Sequence, residues 1–366
     1  MRGIAAGPDV LGGHRIEKIE GRKVQLHWPR QVGKNSRRKV HGKGPNTGVV
    51  IVTTDEGARG WGTGRGVAED FEALVGRRVG ELIDPATGIA EGCPAFLDFA
   101  LHDLAGVILD KPVYALLGGS EPVATPCYSG MIYFDDLEPP ESPAGIDVVL
   151  KNCQQDVDLG YRQLKVKIGR GNQWMSKAAG TRRDAEVVRA IADAFPEVEI
   201  LVDGNDGFTP EEMIDFLEQI GDVELFWIEE PFRESREGYR ILRDWLKANG
   251  RGTLLADGEA QPDHELLFEL MDEGLLDVYL PDISGYGFTP WRKIMPVLKK
   301  KGALTSPHAW GTLLKTHYIS HLAAALGNVV TIEGVTCSSE EVDFGDYKLE
   351  GGKLAPSSAP GFGMTL

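Results

Sequence analysis

Three segments decide the architecture: Gln163-Leu164-Lys165-Val166-Lys167-Ile168, Val198-Glu199-Ile200-Leu201-Val202-Asp203 and Leu225-Phe226-Trp227-Ile228-Glu229-Glu230. Each is a short apolar run that carries or ends in ionisable residues. Between them lie Arg182–Phe195 and Pro210–Ile220, whose apolar residues recur at helical spacing. The same unit extends in both directions. Strands are expected at Ala124–Phe134 upstream and at Thr253–Ala256, Val278–Leu280, Ala303–Thr305 and Val329–Ile332 downstream, with helices at Gly238–Ala248, Asp263–Glu273 and Pro290–Lys300. Eight strands joined by crossover helices form a parallel sheet, and eight is the number that closes a barrel. An open doubly wound sheet is the alternative, but no Gly-rich dinucleotide fingerprint follows the first strand.

What ends these runs points to chemistry. Lys165 and Lys167 lie in the second. Asp203 and Asn205 close the third, Glu229 and Glu230 the fourth, Asp257 and Glu259 the fifth, and Asp282 the sixth. His308 follows the seventh and Glu333 ends the eighth. The steps from Lys167 are 36, 26, 30, 23, 26 and 25 residues, one strand–helix unit each. In a barrel these ends converge on the C-terminal mouth, where catalytic groups sit. A polar rim without chemistry is the plainer reading of any single end, but not of a consecutive series.

Carboxylates from adjacent strands offer hard oxygen ligands suited to Mg²⁺ or Mn²⁺. Asp203, one of Glu229 and Glu230, and Glu259 have the spacing. The two adjacent glutamates point to opposite faces, and periodicity does not choose between them. Asp257 is expected to share the face of Glu259 but to lie deeper, in a supporting role. Lys165 and Lys167 share a face, so each should depress the other's pKa and make Lys167 a base near neutral pH. Asp282 beside His308 would fix the imidazole tautomer and raise its basicity. Lys167 and His308 would then approach one carbon from opposite sides.

Upstream, residues 15–28 and 47–54 alternate like antiparallel strands, and helices are expected at Ala68–Leu82 and Pro94–Leu109, together a small α+β domain. The intervening stretch holds Arg30, Lys34, Arg37, Arg38 and Lys39 with many Gly, Ser and Asn residues, and no acid occurs between Gly21 and Thr54. It reads as a mobile loop, either simply solvated or a flap that attracts an anionic substrate to an otherwise acidic protein. A net charge of −16 argues against nucleic-acid partners and acidic membrane surfaces. No apolar run approaches a membrane span, and Met1 to Gly13 lacks the blocks of a signal peptide. The scattered Cys93, Cys127, Cys153 and Cys337 fit reduced thiols in a cytoplasmic protein rather than a structural zinc site. A homo-oligomer is the expected assembly.

Taken in order, Lys165-Val166-Lys167, Val202-Asp203-Gly204-Asn205, Trp227-Ile228-Glu229-Glu230-Pro231, Gly258-Glu259, Pro281-Asp282 and Pro307-His308 resemble the mandelate racemase-like group of the enolase superfamily. Ala100-Leu101-His102-Asp103-Leu104-Ala105-Gly106 and Leu116-Leu117-Gly118-Gly119 are similar to the end of that family's capping domain, so the resemblance covers nearly the whole chain. It implies an α/β protein: a capping α+β domain (1–122), a modified TIM barrel of (β/α)₇β type (123–342) and a C-terminal segment (343–366) returning to the cap. It also implies Mg²⁺ on Asp203, Glu229 and Glu259. Lys167 and the His308–Asp282 dyad would be bases, and Lys165 a partner of the substrate carboxylate. A protonated Glu333 would donate to the enediolate. Asn205, Asp257, Glu230 and Trp310 are expected around these groups, as supports or substrate contacts. Two departures stand out: Ile283-Ser284-Gly285-Tyr286-Gly287 lacks paired glycines, and Ala309-Trp310-Gly311-Thr312 brings an aromatic to the pocket.

The resemblance favours dehydration of a sugar acid, with α-proton removal followed by loss of the β-hydroxyl. The same bases support racemisation or epimerisation of a 2-hydroxy acid. Cycloisomerisation is disfavoured because that group usually places a lysine where Asp282 stands. A non-catalytic metal-binding scaffold is the rival from another class.

Overall fold

The computed structural model describes residues 9–366, so residues 1–8, part of the stretch read for targeting signals, lie outside it. The eight barrel strands are Thr125–Ile132, Gln163–Lys167, Glu199–Asp203, Leu225–Glu229, Leu254–Asp257, Val278–Tyr279, Leu304–Thr305 and Ile332–Gly334. Neighbours pair in parallel from the first through the seventh. Closure follows from Ile332 pairing with Cys127 and from a bridge between Thr305 and Val329. The eighth strand begins later than expected, so Glu333 sits within it rather than at its end.

Alternation along the strands divides the core in two. Leu201, Trp227, Ala256, Val278 and Tyr128 fill the barrel interior. Val166, Val202, Ile228, Leu255 and Tyr279 face the surrounding helices. The period of two therefore sends Lys165, Lys167, Asp203 and Glu229 inward at the mouth.

The N-terminal part is a three-stranded antiparallel sheet of Ile16–Gln25, Asn46–Thr54 and Arg59–Thr63, covered by helix Asp98–Leu109. The strand 59–63 was hidden by its glycines, which the fold needs: a Cβ at Gly60 would stand 2.4 Å from the Leu104 nitrogen. The expected helix over Ala68–Leu82 is broken into Ala68–Glu72 and Val79–Leu82, because Gly76 turns the chain at φ 84°. Helix Leu313–Leu326 went unread for the opposite reason. It is buried on nearly every side and shows no apolar stripe.

The C-terminal residues contact the N-terminal sheet and its covering helix. Asp103 accepts backbone N–H groups from Trp61 and Phe362 at 2.9 and 2.7 Å, and Trp61 Nε1 donates to the Met364 carbonyl. The C-terminal segment also grips the barrel, since the hairpin Lys348–Glu350/Lys353–Ala355 pairs antiparallel with the first strand. No helix among the described residues is long and apolar enough to cross a membrane.

Two buried histidines tie helix Leu313–Leu326 to this segment. Tyr347 donates its hydroxyl to the Phe362 carbonyl and lies 2.7 Å from His321 Nε2, which must therefore be the donor. Nδ1 then accepts from the Tyr114 N–H, which fixes a neutral ring. His317 stacks on the Tyr347 ring at 3.5 Å. Burial pushes His321 down to about 3 and His317 well below its ordinary value. Between those values and about 6.5 the unfolded chain binds more protons, so stability rises with pH and falls on acidification, by up to about 1.4 kcal/mol per pH unit for each ring. Urea midpoints are expected to drop from pH 7 to pH 5, with a shallower pH slope in His321→Asn. Parallel slopes for the two proteins would refute this assignment.

Candidate active site

Asp203, Glu229 and Glu259 each offer one oxygen within 4.8 Å of the others. Asp203 and Glu229 end adjacent strands in register, and both are fully buried. Glu259 reaches the same point through Gly258, whose φ of 129° breaks the pleat after Asp257. That break corrects the expectation for Asp257. It does not share the face of Glu259 but turns outward to the hydroxyl of Tyr239, on helix Arg236–Ala248. Burial pushes Asp257 up to about 8, and the bond it accepts from the Tyr239 hydroxyl offsets this only in part. Glu230 also leaves the cluster: its Oε1 accepts from the Ala260 N–H at 2.7 Å. Asn205, Asp206 and Glu230 have φ values of 43°, 52° and 39° immediately behind two of the clustered carboxylates, a concentration of strain typical of functional sites. Asn205 donates its N–H to Asp203 Oδ1 at 2.9 Å.

The three carboxylates fit a hard divalent cation. All donors are oxygens, and Glu229 Oε2 is buried without a hydrogen-bond partner. Glu259 Oε2 is likewise without a hydrogen-bond partner and lies 3.2 Å from His308 Nε2.

Lys165 and Lys167 enter the cluster from the second strand. Lys165 Nζ lies 2.8 Å from Glu229, 2.9 Å from Glu333 and 3.4 Å from Asp203. Lys167 pairs with Asp203 and stands 5.4 Å from the Tyr133 ring centre. Lys165 does lower the pKa of Lys167, but the net depression expected from the pair is not found. Burial pushes both ammonium groups down, but Glu229 and Glu333 around Lys165, and Asp203 beside Lys167, outweigh it and hold both above the ordinary lysine value. Asp203 is correspondingly held at about 2: burial raises it, and the two lysines more than offset that.

On the other side, His308 Nδ1 lies 3.1 Å from Asp282 Oδ2, while Nε2 points toward Glu259 and, at 3.6 Å, Glu333. Asp282 is saturated. Its Oδ1 caps helix Ile283–Tyr286 through the Ser284 and Gly285 N–H groups, and its Oδ2 also takes Lys315 Nζ at 2.6 Å. Burial raises Asp282, but His308 and Lys315 hold it below the carboxylate range. Glu333 accepts from the Ala309 N–H at 2.6 Å besides pairing with Lys165. Burial raises its pKa, but Lys165 and His308 more than offset that and hold it below the ordinary glutamate value, the opposite direction from that of a protonated donor.

The basic stretch lies docked on the barrel. Arg30 is clamped bidentately by Asp156 at 2.6 and 2.8 Å and donates to the Met131 carbonyl. Lys34 pairs with Glu138 at 2.5 Å over the Trp174 ring, and Arg37 pairs with Asp206 at 2.7 Å. Ser36 Oγ donates to the Gly204 carbonyl, and Trp174 Nε1 to that of Asn35. Arg38 and Lys39 stay exposed. The loop is thus docked on the barrel by its own cations. It brings His41 against Tyr133 and Trp310, with ring centres 4.9 and 5.8 Å apart, and Trp310 in turn meets Tyr133 at 4.9 Å and Trp28 at 5.2 Å. Sequence reading anticipated Trp310 but missed His41, Tyr133 and Lys315, which are not ionisable ends of the expected strands.

Residues 148–366 match the family described as enolase C-terminal domain-like. The chain belongs to this family. Its fold is that of an enolase-superfamily barrel of the mandelate racemase-like group. It is 31% identical to the galacturonate dehydratase of a Geobacillus species, crystallised with D-galacturonate and 5-keto-4-deoxy-D-galacturonate (TM-score 0.90, covering 97% of this chain and 95% of that one). The mandelate racemase/muconate lactonizing protein of Geobacillus sp. Y412MC10, complexed with magnesium and tartrate, is 31% identical (TM-score 0.91, 97% and 93% coverage). The D-galactarolactone cycloisomerase of Agrobacterium fabrum is 25% identical over 290 residues, 72% of this chain and 71% of that protein.

Proposed function

We propose that this enzyme dehydrates a sugar acid by removing its α-proton. The observation that carries the reading is the placement of two proton-transfer groups, Lys167 beside Asp203 and His308 beside Glu259, on either side of one carboxylate triad. Asp203, Glu229 and Glu259 would hold Mg²⁺, with Mn²⁺ able to replace it in an all-oxygen site. A divalent cation there would supply positive charge to the substrate carboxylate and would compete with Lys167 for the Asp203 carboxylate. Lys165 adds a second positive charge at that carboxylate, and Glu333 keeps the Lys165 ammonium in place.

One of Lys167 and His308 takes the α-proton, and the electron pair moves into the carboxylate to give an enediolate. As that pair returns to form the Cα–Cβ double bond, the Cβ–O bond breaks. The other group protonates the departing hydroxyl, which leaves as water. The resulting enol tautomerises to a 2-keto-3-deoxy acid. Asp282 keeps Nδ1–H of His308 occupied, so Nε2 is the atom that exchanges the proton.

Dehydration is favoured over racemisation by the similarity to the Geobacillus galacturonate dehydratase. A library of aldonic, uronic and aldaric acids, incubated with Mg²⁺ and semicarbazide, should yield a keto product from at least one member. Optical inversion without a keto product would establish the racemase reading instead. Absence of both, with no α-deuteration in D₂O, would establish the non-catalytic scaffold.

A further inference from the structure

Nε2 of His308 is buried and, among the described residues, has no hydrogen-bond partner. The plane of the ring therefore depends on the single bond from Nδ1 to Asp282 Oδ2, 3.1 Å away. That oxygen has a second and closer donor: Lys315 Nζ, from the first turn of helix Leu313–Leu326, reaches it at 2.6 Å. The shorter bond joins two ionised groups, and such bonds are the strong ones. The lysine thus fixes where Oδ2 sits, and the imidazole must meet it there. The other oxygen, Oδ1, is held by the Ser284 and Gly285 N–H groups at 2.9 and 3.0 Å. With both oxygens tied, the carboxylate cannot turn about its Cβ–Cγ bond. Without Lys315, Oδ2 would have the imidazole alone, and ring and carboxylate could swing together.

The same ammonium donates to the Trp310 carbonyl at 3.1 Å, two residues past His308. One side chain therefore ties the loop after the sixth strand to the loop after the seventh, with the imidazole between them. The backbone of His308 is placed by other bonds. Its carbonyl accepts from the Ile283 N–H at 3.0 Å, and its N–H donates to the Pro281 carbonyl at 3.2 Å. What is left for Lys315 to set is the orientation of the side chain. The helix gains nothing from this lysine, since its dipole disfavours a cation in the first turn. Asp282 is the one ion-pair partner of Lys315 among the described residues.

We propose that Lys315 is a positioning residue for His308: by holding Asp282 Oδ2 and the Trp310 carbonyl together, it aims Nε2 at the substrate's α-carbon. The inference rests on the proton-transfer reading above and deepens it. It concerns one face of the substrate only, because Lys167 is held separately, by Asp203.

The test follows α-deuteration of two α-epimeric sugar acids in D₂O by the Mg²⁺-loaded enzyme, one epimer losing exchange in His308→Asn and the other in Lys167→Met. Lys315→Met should slow exchange of the first by about tenfold to a hundredfold, the usual cost of losing a partner that orients a functional histidine, and leave the second unchanged. Dehydration of both should fall in kcat at constant KM, because it needs both groups. Lys315→Arg, whose guanidinium can reach the same two oxygens, should restore most of the loss. A second measurement needs no turnover. The Nδ1–H proton of His308, assigned by its disappearance in His308→Asn, should give a sharp downfield NMR signal in wild type and Lys315→Arg, and a broadened or absent one in Lys315→Met. Unslowed exchange, equal slowing of both epimers or a raised KM would overturn the proposal, the last two describing a general loss of packing or a direct substrate contact. So would an Nδ1–H signal that is unchanged in Lys315→Met or missing from wild type. No exchange of either epimer in wild type, with the signal still lost in Lys315→Met, would sink the proton-transfer reading while leaving the orienting role of Lys315 standing.

Discussion

Glu259→Gln is expected to lower kcat/KM by at least about three orders of magnitude and to abolish the thermal stabilisation that Mg²⁺ gives the wild type. Two full negative charges 4.8 Å apart, the outer limit for these ligand atoms, repel by about 3 kcal/mol at an effective dielectric constant of about 20. Lys165 and Lys167 pair directly with Glu229 and Asp203 and offset this, whereas the ion-pair contact of Glu259 is with His308, which carries charge only when protonated. Glutamine keeps the shape and removes the charge, so the fold should tolerate it. What it removes is a hard anionic ligand, and with it several kcal/mol of transition-state stabilisation, each 1.36 kcal/mol being about tenfold in rate. At a Mg²⁺ concentration of about 100 times its dissociation constant, wild type should gain about 2.7 kcal/mol of stability, seen as a rise of several degrees in Tm. Glu259→Gln should show almost none of that rise. A variant that keeps the Mg²⁺ shift would remove Glu259 from the ligand set. One that loses the shift but keeps turnover would detach the cation from the chemistry.

The clustering of Asp203, Glu229 and Glu259 was legible because the barrel repeats. One ionisable end per strand–helix unit is a pattern, and the closed sheet converts it into a cluster. Glu229 and Glu230 were separable only through the family resemblance, since alternation alone assigns them opposite faces without saying which is inside. Asp257 shows the limit of alternation, because a single glycine at φ 129° reverses the face of every residue that follows. The basic stretch misled for a related reason. Arg30 and Asp156, 126 positions apart, look like independent surface charges until the barrel places one beneath the other. Lys165, read as depressing its neighbour's pKa, depends equally on carboxylates from three other strands. A pair two residues apart is visible in sequence, and the charges around it are not. Lys315 belongs to the same class: nothing local marks a lysine in a helix's first turn as the second cation on Asp282.

Replacing either proton-transfer group should stop turnover while only one replacement stops exchange. Lys167→Met and His308→Asn are each expected to lower dehydration about 10²–10⁴-fold, the usual contribution of a positioned acid or base. Dehydration needs both groups, one for the α-proton and one for the departing hydroxyl, but exchange of the α-proton with D₂O needs only the group on that proton's face. For a given substrate stereoisomer, one variant should therefore retain α-deuteration and the other lose it. The α-epimer, presented in the same pocket, should reverse the assignment, because its proton points to the opposite side. Asparagine at 308 can still meet Asp282, so the loop order around Lys315 should survive. Methionine at 167 frees Asp203 from one of its two cations, so a modest change in Mg²⁺ affinity should accompany the loss of turnover. Retained exchange in both variants would mean that neither residue is the base. Lost exchange in both, for both epimers, would mean that the two groups act on one proton as a unit instead of facing each other across the substrate.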